Sequence, residues 1–265
     1  MSSLRVRPQA ASGVVIDITP QSAGWTYVGF KMLRLSADQV YDAAGDDRET
    51  CVVVLSGQAR LAAGNVDFGT IGGRSSVFED AAPGAAYVAV GDAVHIEAVT
   101  ASEIALCTAP GSKDYVSRVI PTGDMSREVR GQGSNTRHVR NILPEDRPAH
   151  SLLVVEVVTP GGNWSSYPPH KHDTARDSET RLEETYYHRL NPPQGFAFQR
   201  VYTDDRSLDE TVCVEDGDVV MVPKGYHPVG APHGYDLYYL NVMAGPERRW
   251  MFHNDPQHEW MLRKG

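Results

Sequence analysis

Residues 168–190 read PPHKHDTARDSETRLEETYYHRL, and the fold has to account for this stretch. Residues two apart on an extended strand share a face, so His170 and His172 point one way and Lys171 the other. Pro168 and Pro169 suit a strand entrance, where a missing N–H does no harm. Further on, Glu183 and Glu184 are strand neighbours and must face opposite sides. Arg189 belongs on the outside and shares parity with Glu183, which leaves Glu184, Tyr186, His188 and Leu190 on the inner face. A carboxylate turned inward is costly unless a proton or a cation neutralises it. A metal ion meets that need and makes Glu184, rather than Glu183, the expected ligand.

A third histidine comes from EDGDVVMVPKGYHPVGAP, residues 215–232. GDVVMVP reads as a strand and PKG as a turn; His227 follows directly, with His233 as its rival in a longer loop. Two histidines, a glutamate and a distant histidine form a nitrogen and oxygen donor set. It suits Zn, Mn, Fe, Co or Ni and not a soft ion that prefers thiolate.

Donors so far apart in the chain need a barrel to bring them together. The remaining sequence is built from short apolar or alternating runs, such as TCVVVLSGQARLAAG, SLLVVEVVT, GFAFQRVYT and YDLYYLNVMAG, separated by Gly, Pro and Asp. None keeps a helical period over three turns. The expected fold class is all-β, of the jelly-roll kind. A chain of 265 residues is long for one such unit and fits two.

The balance of 41% apolar and 22% charged residues is that of a chain able to bury a core. A formal charge of −9 repels phosphate backbones, so nucleic acid is not an expected partner. No apolar run has the length of a signal peptide or a spanning helix, so no membrane is expected either. Cys51, Cys107 and Cys213 lie far apart in apolar runs and read as buried free thiols, which points to the cytoplasm.

The order HxH, then glutamate in EETYYHRL, then Gly217, Pro223, Gly225 and His227 resembles the two motifs of the cupin superfamily. One departure is the polar DTARDSETRLE between His172 and Glu184, where cupins have only a few residues; it reads as a loop inserted at the barrel mouth. Longer segments, RHVRNIL, YPPHKHD, LEETYYHRLNPPQGFAFQRVYTDDRSLDETV and VPKGYHPVGAPHGYDLYYLNVMAGPERRWMFHNDPQHEW, resemble the 5-deoxy-glucuronate isomerases of bacterial myo-inositol catabolism. That family is related to the ketol-isomerases of pectin-derived uronates. The likeness spans most of the second half, and the first half fits more loosely.

The resemblance implies two tandem cupin domains, a bicupin. Residues 1–125 are then a degenerate, metal-free barrel, 126–150 a connecting segment rich in Arg and Gly, and 151–265 the metal-binding barrel with an ordered tail. In the first half, ETCVVVLSGQARL has the shape of the cupin glutamate strand, but no HxH precedes it and His95 stands alone. Carried across, the ligands are His170, His172, Glu184 and His227, holding one divalent ion, with zinc first and Mn, Fe, Co or Ni as the others.

The implied reaction turns 5-deoxy-D-glucuronate, an aldehyde, into the ketone 5-dehydro-2-deoxy-D-gluconate through an enediol, with the metal steadying the developing charge. Tyr186, His188 and Lys224 are the candidate bases. Arg200, with Gln199 or Arg248 as further substrate-binding candidates, offers a fork for the substrate carboxylate. Alternation leaves open whether Phe198, Arg200 and Tyr202 or Gln199 and Val201 face inward. Another metal-dependent cupin enzyme, such as a dioxygenase, is the alternative. The expected partner is a small sugar acid, with a homo-oligomer expected by analogy.

Overall fold

The computed structural model describes residues 4–263. Strands dominate: among the described residues the helices are one four-residue α-helix, Pro20–Ala23, and three short 3-10 segments. No helix is long and apolar enough to cross a membrane.

The chain divides into two compact units. The later unit gathers the N-terminal segment up to Arg7, Arg127–Val139 and the chain from Glu156 on; the earlier unit holds Pro8–Ser126 and Arg140–Val155. Arg5–Val6 joins the later unit because it pairs antiparallel with Val219–Val222, Arg5 opposite Val220. The stretch 126–150, read from the sequence as a connection, carries two strands, Arg127–Arg130 and Arg137–Leu143.

In the later unit one sheet runs in the order Arg5–Val6, Val219–Val222, Glu183–Asn191, Asp236–Ala244. A four-stranded sheet has the order Trp164–Ser165, Val229–Gly230, Phe196–Tyr202, Asp209–Glu215. Side chains of the two sheets meet where His188 on Glu183–Asn191 lies 3.0 Å from Gln199 on Phe196–Tyr202. The strand Phe196–Tyr202 settles the parity that alternation left open. Ala197, Gln199 and Val201 are buried, while Phe196, Phe198 and Arg200 are exposed.

The earlier unit has a six-stranded and a four-stranded sheet. Its interior is a cluster of aliphatic residues that includes Leu33, Val52, Leu61, Val88, Ile96 and Ile104, so apolar burial, the main favourable term in folding, supplies its cohesion. Cys51 and Cys107 are buried here and opposite each other on neighbouring strands. Cys213 departs from the expectation of burial. It lies on the outward parity of Asp209–Glu215 and is exposed.

One polar group in the earlier unit is fully buried and fully bonded. Glu49 accepts from the hydroxyl of Tyr87 at 2.6 Å and from the backbone N–H groups of His150, Ser151 and Leu152 at 2.7, 2.6 and 2.7 Å. Four donors on one carboxylate offset its desolvation and fasten residues 150–152 to the unit. Glu49→Ala leaves those donors without an acceptor and is expected to lower unfolding stability by about 3 kcal/mol or more. Glu49→Gln, which keeps one acceptor oxygen, should lose less; urea unfolding of both variants measures the difference.

Candidate metal centre

The HxH pair sits where the tail of the chain returns. His170–Lys171 forms a two-residue strand antiparallel to His253–Asn254, His170 opposite Asn254. The tail was read as too polar and too broken by proline for a strand. It contributes this short one because Asp255 N donates to Pro169 O at 2.8 Å, while Asp255 Oδ2 accepts from Tyr202 at 2.8 Å. The segment expected as an inserted loop is an ordered hairpin, Asp173–Arg176 against Glu179–Arg181. Its fully buried Glu179 accepts from the N–H groups of Asp173 and Thr174 and pairs with Arg176 at 2.5 Å.

His227 is set by the turn before it. Gly225 has φ +92°, and a Cβ there would come within 2.4 Å of Tyr202 O, so only glycine lets the turn lie this close. Gly225 N donates to Asp173 Oδ2 at 2.8 Å, and Lys171 Nζ binds Asp173 Oδ1 at 2.9 Å and Asp204 at 3.1 Å. Asp173 therefore ties the HxH segment to the turn that carries His227, and acts as a positioning residue.

These supports gather three buried imidazoles. One nitrogen from each of His170, His172 and His227 lies within 4.8 Å of the other two, close enough to hold one metal ion. Glu184 is buried beside them, and its Oε2 lies 3.0 Å from His172 Nε2 and 3.2 Å from His227 Nε2. Glu183 is only half-buried on the opposite face. His233, the rival of His227, belongs to no such group among the described residues.

Protonation is fixed from behind. His172 Nδ1 lies 3.2 Å from Leu182 O, and His227 Nδ1 lies 2.8 Å from Gly225 O. A carbonyl only accepts, so each Nδ1 carries a proton and donates it; His172 Nε2 also hydrogen-bonds Glu184 Oε2, whereas a neutral His227 turns the lone pair of its Nε2 inward. His227 Nε2 has no hydrogen-bond partner. A proton on His172 answers part of the Glu184 charge, and a metal ion that displaced it would meet both Nε2 atoms and the carboxylate oxygen together. The donor set and its back-side anchors thus fit a metal ion, in the way that second hydrogen bonds orient ligating imidazoles.

The titration of the group follows from the same contacts. Burial, with the neighbouring His227 and His172, holds His170 well below the ordinary histidine value. Burial lowers His227 to about 4. Burial also pulls on His172, but its hydrogen bond to Glu184 and the Glu184 charge outweigh that and raise it.

The other expected site residues separate into two groups. Tyr186 and His188 are buried on the face of Glu184. The Tyr186 ring meets the His227 ring at 5.7 Å between centroids, its hydroxyl lies 2.9 Å from Ser166 Oγ, and burial raises its pKa well above the usual value. His188 Nε2 donates to Gln199 Oε1, leaving Nδ1 without a partner. Lys224, by contrast, is exposed on the turn before His227. Arg200 faces outward and forms a fork with Asp209 at 2.7 Å on both nitrogens while lying over Tyr202. Arg248 is half-buried in the tail.

Beside His170 opens a cavity of about 530 Å³ lined by Arg130, Arg137, Tyr167, Phe252 and Met261 among others. Phe252 lies against the His170 ring at 4.6 Å. None of these lining residues other than His170 was singled out from the sequence. Arg130 and Arg137 lie in the segment read as a connection, and Phe252 lies in the tail, where no strand pattern assigns a face.

Burial lowers His188 to about 4 from an ordinary value near 6.5. The folded protein therefore resists a proton that the unfolded chain accepts, and stability is lost as pH falls from about 6.5 towards about 4. Thermal melting of chelator-treated protein across this range is expected to show that loss, and His188→Gln should flatten the slope. An unchanged slope in the variant would mean that His188 does not titrate this way.

A model of the KduI/IolB family matches residues 4–261. The 5-deoxy-glucuronate isomerase of Geobacillus kaustophilus is 54% identical, over 94% of this chain and 91% of that protein. The crystal structure of an IolB-like protein from Salmonella typhimurium superposes with a TM-score of 0.97 at 49% identity, covering 98% of this chain and all of the other. The oxalate decarboxylase of Lactobacillus farciminis is similar in fold alone, with a TM-score of 0.67 at 13% identity over 100% of this chain and 91% of that one. With its family model running almost from end to end and a relative more than half identical, the chain belongs to the KduI/IolB family.

Proposed function

We propose that this chain is a 5-deoxy-glucuronate isomerase, converting open-chain 5-deoxy-D-glucuronate into 5-dehydro-2-deoxy-D-gluconate at a divalent metal ion held by His170, His172, His227 and Glu184. The observation that carries the site is the convergence of two Nε2 atoms on one buried carboxylate oxygen, 3.0 and 3.2 Å away, with the His170 ring beside them. The reaction is carried by the identity to a named isomerase over nearly the full length. Zinc suits three imidazoles and a carboxylate, and Mn, Fe, Co and Ni accept the same donors.

The isomerisation moves one proton from the carbon beside the aldehyde to the former aldehyde carbon and another from the neighbouring hydroxyl to the former aldehyde oxygen, through an enediol, with no net oxidation. A divalent ion supplies the positive charge that makes the C–H acidic enough to be removed near neutral pH. The chain's own residues do the rest. Leu182 O and Gly225 O hold the two imidazoles in one tautomer. Tyr186, whose ring touches that of His227 and whose hydroxyl keeps its proton, is the proposed group that holds or returns a proton at a substrate oxygen. His188, neutral and tied to Gln199, supports the Tyr186 ring by stacking at 5.8 Å. The exposed Lys224 is assigned no part.

The same reading gives the chain two cupin domains, only the later of which binds metal. In the earlier unit aliphatic side chains fill the interior. His95 stands at its surface, bound to Asp42 at 2.7 Å. Three free thiols, one of them exposed, suit a cytoplasmic enzyme.

Proton NMR of metal-analysed protein with 5-deoxy-glucuronate in D₂O tests the reading. The expected result is loss of the aldehyde signal, growth of the ketone with solvent deuterium at the former aldehyde carbon, and about one ion per chain. His172→Ala and His227→Ala should lose both metal and turnover. Tyr186→Phe should keep the metal and lower kcat by about 100-fold or more. Metal-loaded protein that leaves the aldehyde untouched and consumes oxygen would replace the isomerase by an oxygenase.

A further inference from the structure

The cavity beside His170 contains two arginines in very different states. Arg130 is committed: its guanidinium binds Glu128 at 2.6 Å and lies over the Trp250 ring at 5.0 Å. Arg137 is not. Its one hydrogen bond runs from Nη1 to Asn135 O at 3.1 Å, and no carboxylate lies within ion-pair distance of it among the described residues. A guanidinium has five N–H donors in a rigid fork, and a half-buried one that meets a single backbone carbonyl has most of them to offer.

The fork is held in place rather than left to swing. The turn before it is fastened by Asn163, whose Nδ2 donates to Thr136 O at 2.9 Å. Gly131, at φ +77°, lies so close that a Cβ there would come within 2.1 Å of Asn135 O and 2.8 Å of Arg137 Nη1. Glycine is thus what permits both the turn and the position of the guanidinium. The Arg137 charge is felt at His170 on one side and at Tyr186 and Tyr239 on another, so it stands within electrostatic reach of the proposed metal ligands. Phe252, Met261 and Leu262 give the same cavity an apolar wall.

We propose that Arg137 binds the carboxylate of the substrate and so selects uronates over neutral sugars, with the deoxygenated carbon next to that carboxylate lying along the apolar wall. This rests on the isomerase reading above, and it takes the anchoring role expected from the sequence for Arg200 and gives it to a residue of the supposed connection. Arg200 already spends its fork on Asp209. A carboxylate bound by Arg137 meets a donor with no competing anion, whereas one at Arg200 would have to displace Asp209.

The test compares 5-deoxy-glucuronate with 5-deoxy-glucose, which carries CH₂OH in place of the carboxylate. In the wild type the acid should be turned over with the higher kcat/KM. Arg137→Met is expected to lower kcat/KM for the acid by about 10- to 100-fold, chiefly through KM, and to change that for the neutral sugar by less than about threefold. Arg137→Lys, which keeps the charge and loses the fork, should fall between the two. Metal content and the circular dichroism of each variant should match the wild type. A parallel loss on both sugars, or no loss on the acid, overturns the proposal. Calorimetric titration of the acid into wild type and Arg137→Met separates it from the isomerase reading. Binding that depends on Arg137 without turnover sinks the reaction and keeps the anion site; equal binding in the two proteins, or none in either, removes the anion site as well.

Discussion

A single carboxylate oxygen organises the later unit. Oε2 of Glu184 faces the Nε2 atoms of His172 and His227, and both rings are held from behind by backbone carbonyls, so the two nitrogens and the oxygen converge on one point. A buried charge is stable only when paired or hydrogen-bonded, and here imidazole rather than backbone provides the partner. What keeps the arrangement assembled lies outside it: Asp173 joining Lys171 to the Gly225 turn, the tail strand beside His170, and the hydrogen bond from Tyr202 to Asp255. With the surrounding structure fixing the geometry in this way, the three imidazoles stay close enough together to hold a metal ion.

Much of this was legible in the sequence because strand parity is a strict rule. The two-residue period put His170 with His172, and put Glu184 rather than Glu183 beside them, without any knowledge of the turns between. Between His227 and His233 parity gave no decision, and it was the resemblance to the family that named His227. Parity failed to decide at GFAFQRVYT, because aromatic and polar residues stand at both phases. The structure buries the Gln199 face and exposes Phe196, Phe198 and Arg200. Alternation needs a contrast in polarity to be read, and a strand whose outer face carries two phenylalanines does not provide one.

What the sequence concealed belongs to irregular segments. Arg137 and Phe252 owe their places to a glycine turn and to a two-residue strand, features too short to carry a period. The polar hairpin after the HxH pair looked like a loop because its defining interaction, Glu179 accepting from two backbone N–H groups, depends on chain reversal rather than on hydrophobic pattern. In such segments hydrogen-bond satisfaction decides the conformation, and it becomes visible only when donors and acceptors have coordinates.

The contrast between two buried glutamates shows how one fold can be used both to stabilise and to bind. Glu49 and Glu184 each stand second in a nine-residue strand, Arg48–Ser56 and Glu183–Asn191, and each is fully or almost fully withdrawn from water. Glu49 receives four donors, three from backbone and one from Tyr87, so its charge is satisfied by the protein alone and nothing further is called for. Glu184 is faced by two imidazole nitrogens instead, one hydrogen-bonded to it and the other without a hydrogen-bond partner. Glu49 stands on the face of its strand opposite the aliphatic cluster of Val52 and Val54, beside Tyr87, whereas Glu184 shares its face with Tyr186, which meets Ser166, and His188, which donates to Gln199. The difference between the two strands therefore lies in what faces the carboxylate: backbone N–H and tyrosine O–H groups close the one site, and imidazole nitrogens give the other a donor set suited to a metal.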